Sequence, residues 1–282
     1  MKELRDETVE KDLQNCLDAG HRVWAVGDVH GFGDSLHLLL QNLHLSSEDR
    51  VVLLGDLIDR GPSSFDVIRL ARSDPRIHCV KGNHESMMVK NFSLEKIERP
   101  DEDARMWFYH GGLETAASYL RAFALADGLH GQVHLKNTIE SDIQWMDELP
   151  AHLVLAKWRL VHAGYHPRRS NDHQGEEDLL WIRDAFHKAK EPIDALRTVV
   201  FGHTPTMGLH PKHEARWGEV WYSPVLLPDG RASSIGMDTC VFHKQNQPAL
   251  LSALDLQTLE VRQIQRTEPW REDDWVRARL EH

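Results

Sequence analysis

The chain has 282 residues, with 33 Lys+Arg against 44 Asp+Glu, a formal charge of −11, 41% hydrophobic and 27% charged residues. A chain of this length buries roughly 75% of its unfolded surface and needs neither a disulfide nor a metal merely to fold. The composition excludes a disordered chain, and the acidity argues against a nucleic-acid partner bound by phosphate neutralisation.

No apolar run reaches the ~18 residues of a membrane span, so no membrane partner is expected. The first residues, MKELRDETVEKDLQNCLDAG, are polar and lack the apolar segment of a secretory leader. Cys16, Cys79 and Cys240 are scattered without paired spacing, as reduced thiols of a cytoplasmic protein are. The 19 histidines should change the surface charge sharply between about pH 7 and pH 5.

The first predicted element is a strand at 22–27 (RVWAVG). A helix follows over 33–43, where Leu36, Leu39, Leu40 and Leu43 form one apolar stripe. A strand at 51–55 (VVLLG) leads to a helix over 64–72, with Ser63 and Asp66 resembling a capping signal. A third strand at 76–80 (RIHCV) leads into a helix over 83–89. This alternation reads as consecutive βαβ units with a parallel sheet. Residues 91–150 are charged and mainly helical and read as an insertion over one face of a core spanning about 20–262. Strands return at 152–156, 159–162, 198–202, 220–223, 234–238, 250–256 and 260–265, with one helix over 176–189. They suggest a second sheet packed on the first. The tail, 266–282, carries Trp270 and Trp275 among charges and is expected to dock by its indoles. With no internal repeat or long linker, residues 1–282 read as one domain.

Five apolar runs end abruptly in Gly, Asp, Asn or His: VWAVG before Asp28-Val29-His30, VVLLG before Asp56-Leu57-Ile58-Asp59-Arg60, HCVKG before Asn83-His84-Glu85, RLV before His162 and TVVFG before His203. In an α/β fold, ligands bind beyond the carboxyl ends of the strands. Glycine would let each chain turn sharply off its strand so that the loops converge. A single such end is usually a buried histidine bonded to a carbonyl; five together point to one site. Asp, His and Asn offer oxygen and nitrogen donors without thiolate, which suits Mn²⁺, Fe or Zn²⁺. Six candidate ligands exceed what one ion needs. Two ions about 3.5–4 Å apart and sharing a carboxylate would activate a bridging water and clamp a phosphoryl group.

GDVHG (27–31), GDLIDRG (55–61), GNHE (82–85), HAG (162–164) and GHT (202–204) together resemble the phosphoprotein-phosphatase branch of the calcineurin-like metallophosphoesterase superfamily. WFYHGGLETAASY (107–119) and LLWIR (179–183) are similar to segments of the small bacterial serine/threonine protein phosphatases. The resemblance implies a two-sheet αββα sandwich with a mainly helical insertion, and two divalent ions, with manganese expected first. It implies that Asp28, His30 and Asp56 hold one ion and that Asp56, Asn83, His162 and His203 hold the other. It further implies attack by a bridging hydroxide, His84 as general acid, Asp59 orienting that imidazole, and Arg60 and Arg183 on phosphate oxygens. The implied substrate is a phosphorylated protein or a small phosphoester. Symmetrical dinucleoside tetraphosphate hydrolysis is the alternative, because those enzymes share the motifs; Glu85 and the 107–119 segment favour the protein phosphatase. A non-catalytic scaffold is a remote third reading, disfavoured because all ligands and the acid are retained. Competing readings are that Asp59 only caps its loop and that Arg183 is a solvated arginine on an amphipathic helix. The chain departs from the family at Met237-Asp238-Thr239-Cys240, which lacks the Gly of an Asp-Thr-Gly segment. This leaves the shape of that loop open, with Cys240 expected to pack in the core.

Overall fold

The computed structural model describes residues 4–269, apart from 94, 97, 98, 124–127, 172, 212–215 and 244–247. The expected docking of Trp270 and Trp275 lies outside the described residues.

The chain opens with a helix that the sequence reading omits, α1 (Glu7–Asp18). The Asp6 side chain caps it by accepting the N–H groups of Thr8 and Val9. Its Leu13 and Cys16 are buried. Then follow β1 (Val23–Val26), α2 (Gly33–Leu43), β2 (Arg50–Leu53), α3 (Ser64–Ser73), β3 (Ile77–Cys79) and α4 (Asn83–Asn91), as the alternating pattern predicts. Ser63 does not cap α3 through its side chain, contrary to expectation. In α2, Leu36, Leu39 and Leu43 are fully buried and Leu40 packs beside them.

The segment read as an insertion forms α5 (Glu102–Trp107), a π-helical turn (Phe108–Gly112), α6 (Leu113–Phe123) and α7 (Gly128–Glu148). Its Trp107, Phe108 and Tyr119 join the same core cluster as Trp24, Val26 and Leu53 of the sheet. The segment therefore packs against the first sheet as part of its helical layer. Next come β4 (His152–Val154), β5 (Trp158–Val161), α8 (Glu176–Trp181), α9 (Asp184–His187), β6 (Thr198–Phe201), β7 (Trp221–Tyr222), β8 (Ser234–Gly236), β9 (Leu250–Asp255) and β10 (Val261–Gln265). The single helix expected over 176–189 is thus two, interrupted at Ile182, whose backbone is extended, and Arg183.

Two five-stranded sheets result, ordered β10-β9-β1-β2-β3 and β4-β5-β6-β8-β7. The last two strands return to the first sheet, where the sequence reading assigned them to the second. Residues alternate between faces, as strand geometry requires. Val23, Ala25, Val52 and Leu54 of the first sheet pack against Leu153, Leu160, Val200 and Ile235 of the second. Each fully buried Val or Leu there contributes about 1.5–3 kcal/mol. Val161, Val199 and Phe201 face outward onto Tyr165, Leu179 and Phe186. The architecture is the expected αββα sandwich.

Register positions the site. Val26 lies beside Leu53 and Leu53 beside Cys79 in parallel strands of the first sheet. Val161 lies beside Phe201 and Phe201 beside Gly236 in parallel strands of the second. Six strands thus end in step, and the residues that follow them leave both sheets at one level.

Candidate metal centre and acid site

The strand ends deliver nine of the ten candidate residues to one place, and Arg183 reaches its rim from the break between α8 and α9. Asp28, His30, Asp56, Asp59, Asn83, His84, His162 and His203 are buried, the most exposed being His203 at 5%. Backbone strain concentrates here: among the described non-glycine residues with positive φ are His30, Asp56, Asp59, Arg60 and His203. Such conformations cost about 1–3 kcal/mol each and persist where the surrounding contacts enforce them.

The glycines act differently from expectation. Only Gly55 makes its turn with positive φ (+86°) among the glycines that directly precede site residues. Gly82 has φ −100°. At Gly82 and Gly202 the reason is proximity, because a Cβ would lie 2.3 Å from Asp56 Oδ1 and 2.0 Å from Asp28 Oδ1 respectively. Apart from Gly55, the positive-φ turns here are taken by the candidate residues His30, Asp56, Asp59, Arg60 and His203 and by Gly31 beside them.

Two groups of side chains meet at Asp56. On one side its Oδ1 lies 3.2 Å from His162 Nε2. Asn83 Oδ1 lies 2.8 Å from His162 Nε2 and 2.9 Å from His203 Nδ1, and those two nitrogens are 3.1 Å apart. On the other side Asp56 Oδ2 lies 3.7 Å from His30 Nε2 and 3.8 Å from His84 Nε2. His30, Asp56 and His84 thus converge, as do Asp56, His162 and His203. The first group contains His84 where the sequence reading has Asp28. Asp28 stands at its rim, with Oδ2 3.8 Å from His30 Nε2, because both its oxygens accept the His203 N–H at 3.0 Å.

This donor set fits cations. His162 Nδ1–H donates to the Leu54 carbonyl at 2.8 Å and His30 Nδ1–H to the Ile58 carbonyl at 3.1 Å. His162 therefore aims its Nε2 lone pair at the Asn83 and Asp56 oxygens, an arrangement that a cation resolves, while the His30 Nε2 lone pair faces the Arg60 guanidinium. Burial, reinforced by His162 and Arg183, holds His203 down to about 2. Burial and the Arg60 guanidinium hold His30 well below its ordinary value. Burial, then Asp238 and Asp56, push Asp28 well above the carboxylate range. Neutral imidazoles and crowded carboxyl groups are what divalent ions require and relieve.

Asp59 is more than a loop cap. Its Oδ2 accepts the His84 Nδ1–H at 2.6 Å. His84 Nε2 faces Arg60 Nη2 at 3.1 Å, and Arg60 Nη1 lies 2.6 Å from His30 Nε2. Arg183 occupies the break between α8 and α9 and donates to the His203 carbonyl at 3.2 Å and to Thr204 Oγ1 at 3.0 Å. It stands on the rim, exposed, and not on a helix face.

The sequence assigns no site role to four contributors that the structure brings to the centre. Glu85 accepts the N–H groups of Asp56 (2.9 Å), Leu57 (2.8 Å) and Gly82 (2.8 Å), tying two strand ends together. Its place three residues after Gly82, as in a capping box, was the available signal. Asp238 follows β8 and is pushed up to about 6, chiefly by burial. The Arg60 guanidinium lies over the Phe242 ring at 4.2 Å, and that ring meets His30 edge to face at 5.0 Å. Trp107 bonds Asp59 from the helical layer. In the segment that lacks the expected Gly, buried Cys240 itself adopts φ +64°.

A family model described as calcineurin-like phosphoesterase matches residues 21–207. Serine/threonine-protein phosphatase 2 of Escherichia coli K12 is 40% identical over 201 residues, covering 66% of this chain and 82% of that protein. A symmetrical bis(5'-nucleosyl)-tetraphosphatase of Coxiella burnetii is 25% identical over 181 residues, covering 59% and 62%. A solved protein serine/threonine phosphatase from Saccharomyces cerevisiae superposes with a TM-score of 0.52 at 15% identity, over 97% of this chain and 85% of that one, and so shares the fold. Strand ends from two sheets that converge on nitrogen and oxygen donors, together with these likenesses, make the chain a member of the calcineurin-like phosphoesterase family, a metal-dependent phosphoester hydrolase.

Proposed function

We propose that the chain is a serine/threonine protein phosphatase. In this reading Asp28, His30 and Asp56 hold one divalent ion, and Asp56, Asn83, His162 and His203 hold a second. Manganese is our first choice, and iron and zinc also suit the donors. When bound, such ions would supply Lewis-acid charge and lower the pKa of a bound water. Arg60 and Arg183 hold phosphate oxygens, for which a guanidinium fork is matched in shape and charge. His84 keeps its Nδ1 proton on Asp59 and delivers the Nε2 proton to the leaving oxygen. Reduced, buried cysteines support a cytoplasmic setting, and no helix among the described residues is long and apolar enough to cross a membrane.

The observation that carries this reading is the buried Asp59–His84 pair, joined at 2.6 Å. A serine or threonine alkoxide leaves poorly unless protonated, and positioned acids contribute typically about 10²–10⁴-fold. The tetraphosphatases share the motifs that supply this pair, so the pair supports a protonated leaving group, and the choice of substrate rests on the likenesses. Relatives named serine/threonine-protein phosphatase match over 194–201 residues at 28–40% identity, whereas those named symmetrical tetraphosphatase match over 181 residues at 25% or over only 81–94 residues at 36–40%, and the long match at 40% supports the protein phosphatase.

The test presents manganese-loaded protein with a phosphoserine peptide, p-nitrophenyl phosphate and diadenosine tetraphosphate in parallel. Preferential turnover of the dinucleotide overturns the proposal, and no turnover of any with metal bound favours a scaffold. His84→Asn should keep its metal, lose about 10²-fold or more on the phosphoserine peptide and lose little on p-nitrophenyl phosphate, whose anion leaves unaided.

A further inference from the structure

The Asp59 carboxylate is held from three sides. Besides the His84 bond on Oδ2, the Trp107 indole N–H donates to the same oxygen at 2.9 Å, and the Thr115 hydroxyl donates to Oδ1 at 2.6 Å. Thr115 Oγ1 also accepts the Asp59 backbone N–H at 3.0 Å. Ser64 Oγ lies 3.0 Å from that hydroxyl. One side chain therefore grips both ends of a residue whose φ is +71°. Asp59, Trp107 and Thr115 are all fully buried, so no water competes for these bonds.

Both donors come from the 107–119 segment, and its glycine pair seats them. Gly111 has φ +113°, its carbonyl accepts the Arg60 N–H at 3.2 Å, and a Cβ there would lie 2.6 Å from that nitrogen. A Cβ on Gly112 would lie 2.4 Å from the Trp107 indole. Tryptophan, paired glycines and threonine thus form one device that docks the helical layer on the Asp59–Arg60 turn.

We propose that Trp107 and Thr115 are positioning residues for proton delivery, setting the rotation of the Asp59 carboxylate and through it the aim of His84. The proposal rests on the acid role of His84 given above. A carboxylate torsion is intrinsically broad. With one donor on each oxygen beyond the histidine, only one rotation satisfies all three bonds. Losing the hydroxyl frees Oδ1 and lets Oδ2 drift from His84 Nδ1. The effect should appear only where the leaving group needs a proton.

The experiment compares Thr115→Val, Thr115→Ser, Trp107→Phe and His84→Asn on the phosphoserine peptide and on p-nitrophenyl phosphate, with metal content and melting temperature recorded. Thr115→Val should lower kcat on the peptide about tenfold or more, leave KM unchanged, and cost less than about threefold on p-nitrophenyl phosphate. Thr115→Ser should regain most of the loss, and Trp107→Phe should show the same split. Equal losses on both substrates, losses that track metal content, or no loss at all overturn the proposal. Should Thr115→Val fail to fold, Trp107→Phe and Thr115→Ser decide. If His84→Asn itself shows no dependence on the leaving group, the acid reading has failed; if only the Thr115 and Trp107 variants lack it, the positioning role alone has failed.

Discussion

Gly82→Ala should dismantle the junction between two strand ends. The backbone at Gly82 has φ −100°, which any residue tolerates, so the objection is space alone. A Cβ would lie 2.3 Å from Asp56 N, 2.3 Å from Asp56 Oδ1 and 2.7 Å from Glu85 Oε2. Ordinary contact begins at 3.4 Å. The overlap is with backbone and buried atoms that have no free end to swing away. Relief must separate the Gly82 turn from Asp56, loosening the Gly82 and Asp56 N–H bonds to Glu85 Oε2 at 2.8 and 2.9 Å. Overpacking costs about 1–3 kcal/mol, and each bond to a charged group about 1.5–3 kcal/mol. With one such bond lost, the total is about 2.5–6 kcal/mol. For a chain this large that lowers the melting temperature by about 4–10 °C. Gly208→Ala is the control, since nothing lies within 4 Å of its added Cβ and its φ is not positive. It should be neutral or stabilise by up to about 1 kcal/mol. Thermal unfolding followed by circular dichroism, with metal per chain measured after dialysis, reads both variants. If Gly82→Ala melts within about 2 °C of the parent and retains its metal, the reasoning from close approach is wrong.

Asp56 belongs to both groups of side chains, so Asp56→Asn should lower occupancy of two ions where His30→Ala lowers one. Metal analysis finding two ions on the asparagine variant would contradict the bridging role. His152 is buried, its ring nitrogen 2.8 Å from the Tyr165 hydroxyl. Burial, then Arg159 and Arg5, push it down from 6.5 to about 4. The unfolded chain therefore binds a proton below pH 6.5 that the folded chain refuses until about pH 4, so this contribution is complete above pH 6.5 and is lost as pH falls through that window. The loss is on the order of 3 kcal/mol. His152→Gln should flatten the fall in denaturation midpoint between pH 6.5 and 4, and an unchanged slope would refute the assignment.

The local signals in the sequence were those of strands closing on chemistry. β-branched runs ending in Gly-Asp, Gly-Asn-His or Gly-His-Thr name their own elements and ligands, because a strand and the residues just past it are neighbours in the chain. Six strand ends leave at one level only because the register pairs Val26 with Leu53 and Val161 with Phe201, and register is a contact between distant segments. The return of β9 to β1 is likewise a pairing that no local pattern announces. The break that frees Arg183 from a helix goes with bonds to the His203 carbonyl and Thr204, made across the fold. Glu85, Trp107, Thr115 and Asp238 stand in or beside recognisable segments and Phe242 does not, but none announces its role from its residue type. Each matters through what burial sets beside it: backbone N–H groups, a strained aspartate, a crowded carboxylate, a guanidinium. The identity of the candidate ligands is a property of residues and was written in order along the chain. Orientation, protonation and the support behind each ligand depend on distance and water exclusion, which exist only after the two sheets and the helical layer have closed.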